Sequence, residues 1–271
     1  PKQLLMGVVA VAAVVVVMVV ALVTGAIQVD WLSNIVTAVA LVAAIYLWAQ
    51  MYTSKLVTRE EKNRLLGFIP MFVSGVLFFG IFQQQFTVMT IYSDVRLDRH
   101  MFGWEIPPSL VQSINPIFIV IFSAVFATMW TKLGDRQWST PVKFGAANIV
   151  IGISLFFFLP FSGGEANSTP MYAIIFILFL FTMAELLLSP VGNALATKVA
   201  PVAFPSRMMA VWMMAVAMGT SLAGSLASFY DPDDAGAEKT FFISLGVVSI
   251  VLGAILLVLS RWVVKKFSTF R

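Results

Sequence analysis

Glu185 is the residue of this sequence with the most chemistry to offer. It stands between Phe179-Leu180-Phe181 and Leu186-Leu187-Leu188, in an apolar run with no other charge. The other twelve of the thirteen Asp and Glu residues fall in connecting segments or at the ends of apolar runs. A carboxylate near the centre of a bilayer costs about 2.5–3.5 kcal/mol on insertion scales, and an ionisable residue there is a functional candidate by default. Apolar surroundings disfavour the charged form and a nearby cation favours it. A carboxyl held between those effects can take up and release a proton during a cycle. Lys and Arg enter the apolar runs only near their ends, as Lys143 and Arg261 do, so a cationic partner at the depth of Glu185 must come from a substrate amine or from outside this chain. Thr182 and Ser189, three residues before and four after, share its helix face and offer the alternative of a passive, hydrogen-bonded carboxyl.

Further polar residues sit where lipid would not tolerate them. Pro190, in Ser189-Pro190-Val191-Gly192, cannot donate to the carbonyl of Leu186, which allows a bend beside Glu185; an ordinary membrane-helix proline is the alternative. Gln83, Gln84 and Gln85 follow one another inside another apolar run. On a straight helix Gln83, Thr87 and Thr90 share one face at i, i+4 and i+7, which we expect to line a polar cavity; interhelical hydrogen bonding is the alternative. Asn115-Pro116 opens a third run, where the Asn suits substrate binding or the cap of a bend, and Trp212, near the basic end of a fourth, suits a pocket wall or an interfacial aromatic belt. Ser189, Gln83, Gln84, Asn115 and Trp212 are therefore candidate pocket residues around Glu185. Thr220, Gly224 and Ser228 form a small-residue stripe suited to helix packing. Enzyme chemistry is not expected: there is no cysteine, no H-E-x-x-H pair and no phosphate-cradling glycine loop, and the one histidine, His100, falls in a connecting segment. No metal and no cofactor beyond protons is implied.

The elements that must hold these residues are membrane helices. Of the 271 residues 60% are apolar and 11% charged, with a mean hydropathy of +0.94. Soluble domains are nearer half apolar and a quarter charged, so lipid must solvate much of the surface. A spanning helix takes about 20 apolar residues, and helix is the form that pairs every backbone group within one segment. Eight runs qualify: Leu4–Val23, Leu32–Tyr52, Phe68–Tyr92, Leu110–Trp130, Val142–Leu159, Met171–Val191, Met208–Phe229 and Phe241–Val264. The first is too long for a signal peptide. As the chain starts at Pro1 and not Met, we expect sequence upstream of it.

Charge placement agrees with this reading. With eight spans, all of the seventeen Lys and Arg residues except Arg96, Arg99 and Lys239 fall on one side. That side is expected to be cytoplasmic, with both ends of the chain on it. The net charge of +4 thus reflects membrane sidedness and gives no reason to expect a nucleic-acid partner. Residues 1–67 carry two plain Val/Ala-rich helices and a charged connector. Residues 68–271 form a six-helix bundle rich in Phe, Met, Gly and buried polar residues, and transporters are often assembled from such bundles.

Three stretches, taken together, resemble the proton-dependent oligopeptide transporter family of the major facilitator superfamily. Ser113-Ile114-Asn115-Pro116-Ile117-Phe118-Ile119 is similar to the N-P-x-F-I segment of that family's eighth helix. Phe181-x-x-x-Glu185-Leu-Leu-x-Ser189-Pro190-Val-Gly192, running on to Lys198-Val-Ala-Pro201, resembles its tenth helix, and Trp212 with Ala217-Met218-Gly219 its eleventh. The resemblance covers about Phe68–Val264. It implies an all-α membrane fold in which this chain supplies the C-terminal six-helix bundle, preceded by the two linker helices that bacterial members carry. It also implies proton-coupled symport of di- and tripeptides in the inner membrane, with a partner six-helix bundle outside this chain. Glu185 would then pair with a cation of that bundle or hold the peptide amino group, and Asn115 and Trp212 would line the pocket. One departure stands out. The family's seventh helix usually reads W-x-x-x-E-Q, and here Phe79-Gly80-Ile81-Phe82-Gln83-Gln84 stands instead, so that Gln83 replaces an acid and cannot titrate. A major-facilitator transporter of another solute, such as a drug, nitrate or organic acid, and a non-transporting membrane scaffold are the alternatives.

Overall fold

The computed structural model describes residues 29–267 except 102, together with Val16, Val17, Val20, Ala21 and Thr24. The expected span Leu4–Val23 therefore lies outside the residues described as an element. Among the described residues there are nine α-helices: α1 (Val29–Thr53), α2 (Arg59–Phe82), α3 (Val88–Val95), α4 (Pro108–Val111), α5 (Ile114–Leu133), α6 (Thr140–Phe156), α7 (Met171–Val199), α8 (Pro205–Ala227) and α9 (Ala235–Phe267). A two-residue hairpin, β1 (His100–Met101) with β2 (Trp104–Glu105), lies between α3 and α4. Among the described residues seven helical segments are long and apolar enough to cross a membrane, so the chain is a multi-pass helical membrane protein.

Local chemistry starts and stops these helices where the charges lie. Thr58 and Glu61 form a capping box at the start of α2: Glu61 N–H donates to Thr58 Oγ1, and Thr58 N–H donates to Glu61 Oε2 at 2.7 Å. Glu61 Oε1 accepts the N–H of Val202 at 2.8 Å, which fastens the α7–α8 connection to α2. Asp234 accepts the N–H groups of Gly236 and Ala237 at the start of α9. Gly134 ends α5 with φ +48°, a conformation that favours glycine.

Packing is close where side chains are small. On α6 and α9 a Cβ at Gly145 would lie 2.9 Å from the carbonyl oxygen of Gly253, and one at Gly152 2.7 Å from that of Gly246. Such small-residue contacts bring membrane helices backbone to backbone. The core between α2, α6, α7, α8 and α9 is aromatic, with Phe68, Phe78, Phe144, Phe181, Trp212 and Phe242 all fully enclosed. Helix α1 rests mainly on α8, where Ser221 Oγ donates to Ser33 O and Ser225 Oγ to Asn34 Oδ1. Helix α5 is covered far less: Asn115 alone among its residues is buried.

Two expected spans are not straight helices. Phe68–Tyr92 is interrupted by a 3₁₀ turn at Gln83–Phe86, after which Thr87 leaves the helical region at φ −115°, ψ −88°. The face expected to carry Gln83, Thr87 and Thr90 is therefore broken. Thr87 donates to Gln84 Oε1 at 2.9 Å, and Thr90 accepts from Gln112. At the break Gln84 binds the carbonyl of Gly80 on its own helix and that of Ala223 on α8, a contact from outside the segment. Leu110–Trp130 likewise divides into α4 and α5, with Gln112 and Ser113 between them.

Candidate functional site

Glu185 sits midway along α7 and Asn115 in the first turn of α5, and these two helices pack side by side. Asn115 is buried and its amide lies against the Glu185 carboxyl. Ser189 stands one turn further along α7 on the same face as Glu185. Three enclosed atoms here, Glu185 Oε2, Asn115 Nδ2 and Ser189 Oγ, make no hydrogen bond of good geometry, although the Asn115 amide bears on the Glu185 carboxyl. Thr182 does not tie the carboxyl off, since its hydroxyl donates to the carbonyl of Leu178 at 2.9 Å. A buried polar atom without a partner costs about 1–3 kcal/mol, and native proteins keep few of them without a reason such as a ligand or water. An acceptor, a donor and a hydroxyl that can be either suit a guest carrying an amino group next to a carbonyl.

Helix α7 continues unbroken through Pro190 to Val199, so the proline makes no interruption beside Glu185. Gly192 brings α7 onto Trp212: a Cβ there would lie 2.1 Å from the indole ring. Trp212 is 1% exposed and packs against Phe68, Phe79 and Phe144. Its Nε1 donates to Asn193 Oδ1 at 2.9 Å. It therefore braces α7 from within the bundle. Gln83 faces α8 and donates to Thr220 Oγ1 at 3.1 Å. Gln84 is turned inward, and its amide nitrogen is shared by the carbonyl of Gly80 on its own helix and that of Ala223 on α8. The geometry thus gathers Glu185, Asn115 and Ser189 and sets Gln83, Gln84 and Trp212 on neighbouring contacts between helices.

Some polar groups escaped the sequence reading. Asn193 holds Trp212 and is the ninth residue after Ala184 on the same helix as Glu185; its place inside a Ser-Pro-Val-Gly-Asn run was the available signal. Asn148 donates to Ser74 Oγ at 2.8 Å and to the carbonyl of Phe144, and accepts at its own carbonyl from Ser249. An Asn in the middle of Val142–Leu159 could have been singled out as Gln83 was. At the opposite end of the bundle, Arg96 and Glu238 form a buried ion pair at 3.2 Å. Charge counting places both at that end but does not say which loop charges meet.

Comparison with known proteins places this arrangement. The PTR2 profile, described as POT family, matches residues 3–243. An uncharacterized transporter of Bacillus subtilis, YclF, is 36% identical over 239 residues, 88% of this chain and 48% of its own length. A "Di-/tripeptide transporter" of Lactococcus lactis subsp. cremoris is 35% identical over 246 residues, again 88% and 48%. The chain thus spans about half the length of the curated relatives it matches. A solved structure of a Glu-to-Gln mutant of the peptide transporter POT in complex with alafosfalin superposes with a TM-score of 0.84 at 32% identity, covering 98% of this chain and 53% of that one. A POT family transporter in complex with 5-aminolevulinic acid gives 0.83 at 33%, covering 97% and 54%. With a match over most of its length and relatives above 30% identity, this chain belongs to the POT family.

Proposed function

We propose that this chain is the C-terminal half of a proton-coupled symporter of di- and tripeptides working by alternating access. Residues 68–271 are the six-helix bundle of a major facilitator fold, and residues 1–67 add two linker helices and their connector, eight spans in all. The bundle rocks against an N-terminal six-helix bundle outside this chain, around a site near the midplane. The protein resides in the inner membrane with both ends of this chain in the cytoplasm, as the basic residues favour. It is a carrier and not an enzyme, and protons take the place of a cofactor.

The observation that carries this reading is the enclosed, unpartnered oxygen of Glu185 beside Asn115 and Ser189. A peptide's terminal ammonium satisfies Glu185, and its first carbonyl accepts from Asn115 or Ser189. In the empty carrier a cation of the partner bundle takes the ammonium's place, or a proton neutralises the carboxyl. Coupling follows because the ligand and the proton favour different states of one group. The relatives named for di- and tripeptides support the substrate class. The remaining candidates have supporting roles: Trp212 and Asn193 set the position of α7, and Gln83 and Gln84 hold the bent α2–α3 segment against α8.

The test is uptake of labelled dialanine by full-length protein in liposomes under an inward proton gradient. Trialanine is expected to compete, and nitrate or citrate is not. Absence of gradient-driven dialanine uptake, or competition by the inorganic and organic anions instead, overturns the proposal.

A further inference from the structure

An apolar slot lies between α1 and α2, with no residue of α5 or α7 in its walls. Helix α1 meets α8 near its start, through Ser33 and Asn34. It touches α2 mainly near the other end, where Trp48 Nε1 donates to the carbonyl of Leu65 at 3.3 Å. Between these two fixings the helices part. The wedge between them has a volume of about 370 Å³, with walls that include Leu41, Ile45 and Trp48 on α1 and Ile69 and Val73 on α2, and Val211 of α8 behind. Over Phe72 and Val73 it continues into a second apolar hollow of about 570 Å³ beside α9. Ile45, Ile69 and Val73 remain exposed.

One end of this slot is built differently from the rest. Trp48, at its wall, stacks on Tyr52 with ring centroids 4.9 Å apart and planes 10° from parallel. The Lys62 ammonium lies over the far ring, 5.8 Å from the Tyr52 centroid. One helical turn, about 6 Å of rise, thus separates the apolar wall from a cation. The connector next to it carries Lys55 and Arg59, both exposed. Of its two acids, Glu61 is turned inward and occupied by Thr58 and Val202, which leaves Glu60 as the exposed one. An apolar slot between membrane-spanning helices, an amphipathic aromatic pair at its rim and cations beside that pair form the complement of a molecule with hydrocarbon at one end and a negative charge at the other.

We infer that the slot between α1 and α2 is a binding site for an anionic phospholipid, whose acyl chain lies along Ile45, Ile69 and Val73 and whose phosphate meets Lys62 with Lys55 and Arg59. Such a lipid fills the wedge that direct helix contact leaves open and fixes α1 to the bundle. The inference concerns the flank of the protein and does not depend on what is transported.

The test uses full-length protein in nanodiscs of mixed phosphatidylcholine and phosphatidylglycerol. Each lipid in turn carries a photoactivatable diazirine in one acyl chain, and adducts are mapped by peptide mass spectrometry. Phosphatidylglycerol is expected to label the peptides holding Ile45, Ile69 and Val73 about fivefold more than phosphatidylcholine does, the preference that one cation near a headgroup provides. Lys62→Gln removes most of that preference. Val73→Trp, at an exposed position, fills the slot and abolishes its labelling, while labelling at Val258, on the open face of α9, is unchanged. Equal labelling by the two lipids overturns the inference. So does equal labelling of the slot and Val258, or a probe at Ile69 that reacts with residues 4–23 of the chain in place of lipid.

Discussion

Replacing Glu238 by Ala is expected to destabilise the protein more than any other single change at the end of the bundle opposite the basic side. Glu238 is fully buried in the first turn of α9. Its Oε2 meets Arg96 at 3.2 Å and accepts the Gly163 N–H at 2.7 Å, and its Oε1 accepts the Tyr230 hydroxyl at 3.0 Å. One carboxylate thereby joins the end of α3, the α6–α7 connection and the α8–α9 connection. Burial pushes the Tyr230 phenol up, and the Glu238 charge beside it pushes it further, so Tyr230 remains a donor. Removing the carboxylate leaves Arg96 buried with a single partner of note, the carbonyl of Pro232 at 2.6 Å. Breaking a buried pair in this way costs about 3–5 kcal/mol. At about 2–4 °C per kcal/mol for a chain of this size, the midpoint of thermal unfolding falls by about 10 °C. Tyr230→Phe removes one hydrogen bond to a charged group, about 1.5–3 kcal/mol, and is expected to lower the midpoint by about half as much. Arg96→Met combined with Glu238→Leu is expected to be milder than the sum of its parts, because neither charge is stranded. The assay is tryptophan fluorescence of detergent-purified protein during heating. A Glu238→Ala midpoint no different from that of an exposed-surface substitution, or a double substitution that costs the full sum, refutes the reasoning.

Other consequences follow from contacts already described. Gly192→Ala forces a methyl group into the Trp212 ring; overpacking of this kind costs about 1–3 kcal/mol, read as a lower unfolding midpoint together with a shift in tryptophan emission. Glu61→Ala removes the α2 capping box and the Val202 tie, and is expected to cost about 1–3 kcal/mol, whereas Glu60→Ala, at an exposed position beside it, changes stability by less than about 0.5 kcal/mol. Asn115→Leu removes the amide that would donate to the peptide carbonyl and is expected to weaken dialanine binding by roughly fivefold, as for loss of a neutral hydrogen bond of about 1 kcal/mol, without lowering the unfolding midpoint; isothermal titration and thermal unfolding separate the two effects.

How far the sequence reached depended on how local the cause was. The long apolar runs mark their own helices, because hydrocarbon requires each segment to pair its backbone internally. Glu185 declared itself in the same way, as the one carboxyl in an apolar run. Its neighbourhood with Asn115 came from resemblance and then from the packing of α5 on α7, since seventy residues separate them and no periodicity links them. The break at Gln83–Phe86 was hidden because adjacent glutamines are compatible with a helix; what ends it is the meeting of Gln84 with Ala223 on α8, a tertiary contact. Trp212 illustrates the same limit. Its place near a helix end suits a pocket wall or an interfacial belt, and only the approach of Gly75 and Gly192 turns it into an internal brace. The pairing of Arg96 with Glu238 was equally out of reach, since sidedness assigns charges to an end of the bundle and leaves their partners open.

Glu185→Gln in full-length protein tests the central claim most directly, because it keeps the shape of the side chain and removes its proton. Dialanine exchange between the two sides of a liposome is expected to persist, while accumulation against a gradient and the inward proton current that accompanies dialanine are lost. If the Gln variant still accumulates dialanine and still carries protons with it as the parent does, Glu185 is not the coupling group and the account fails.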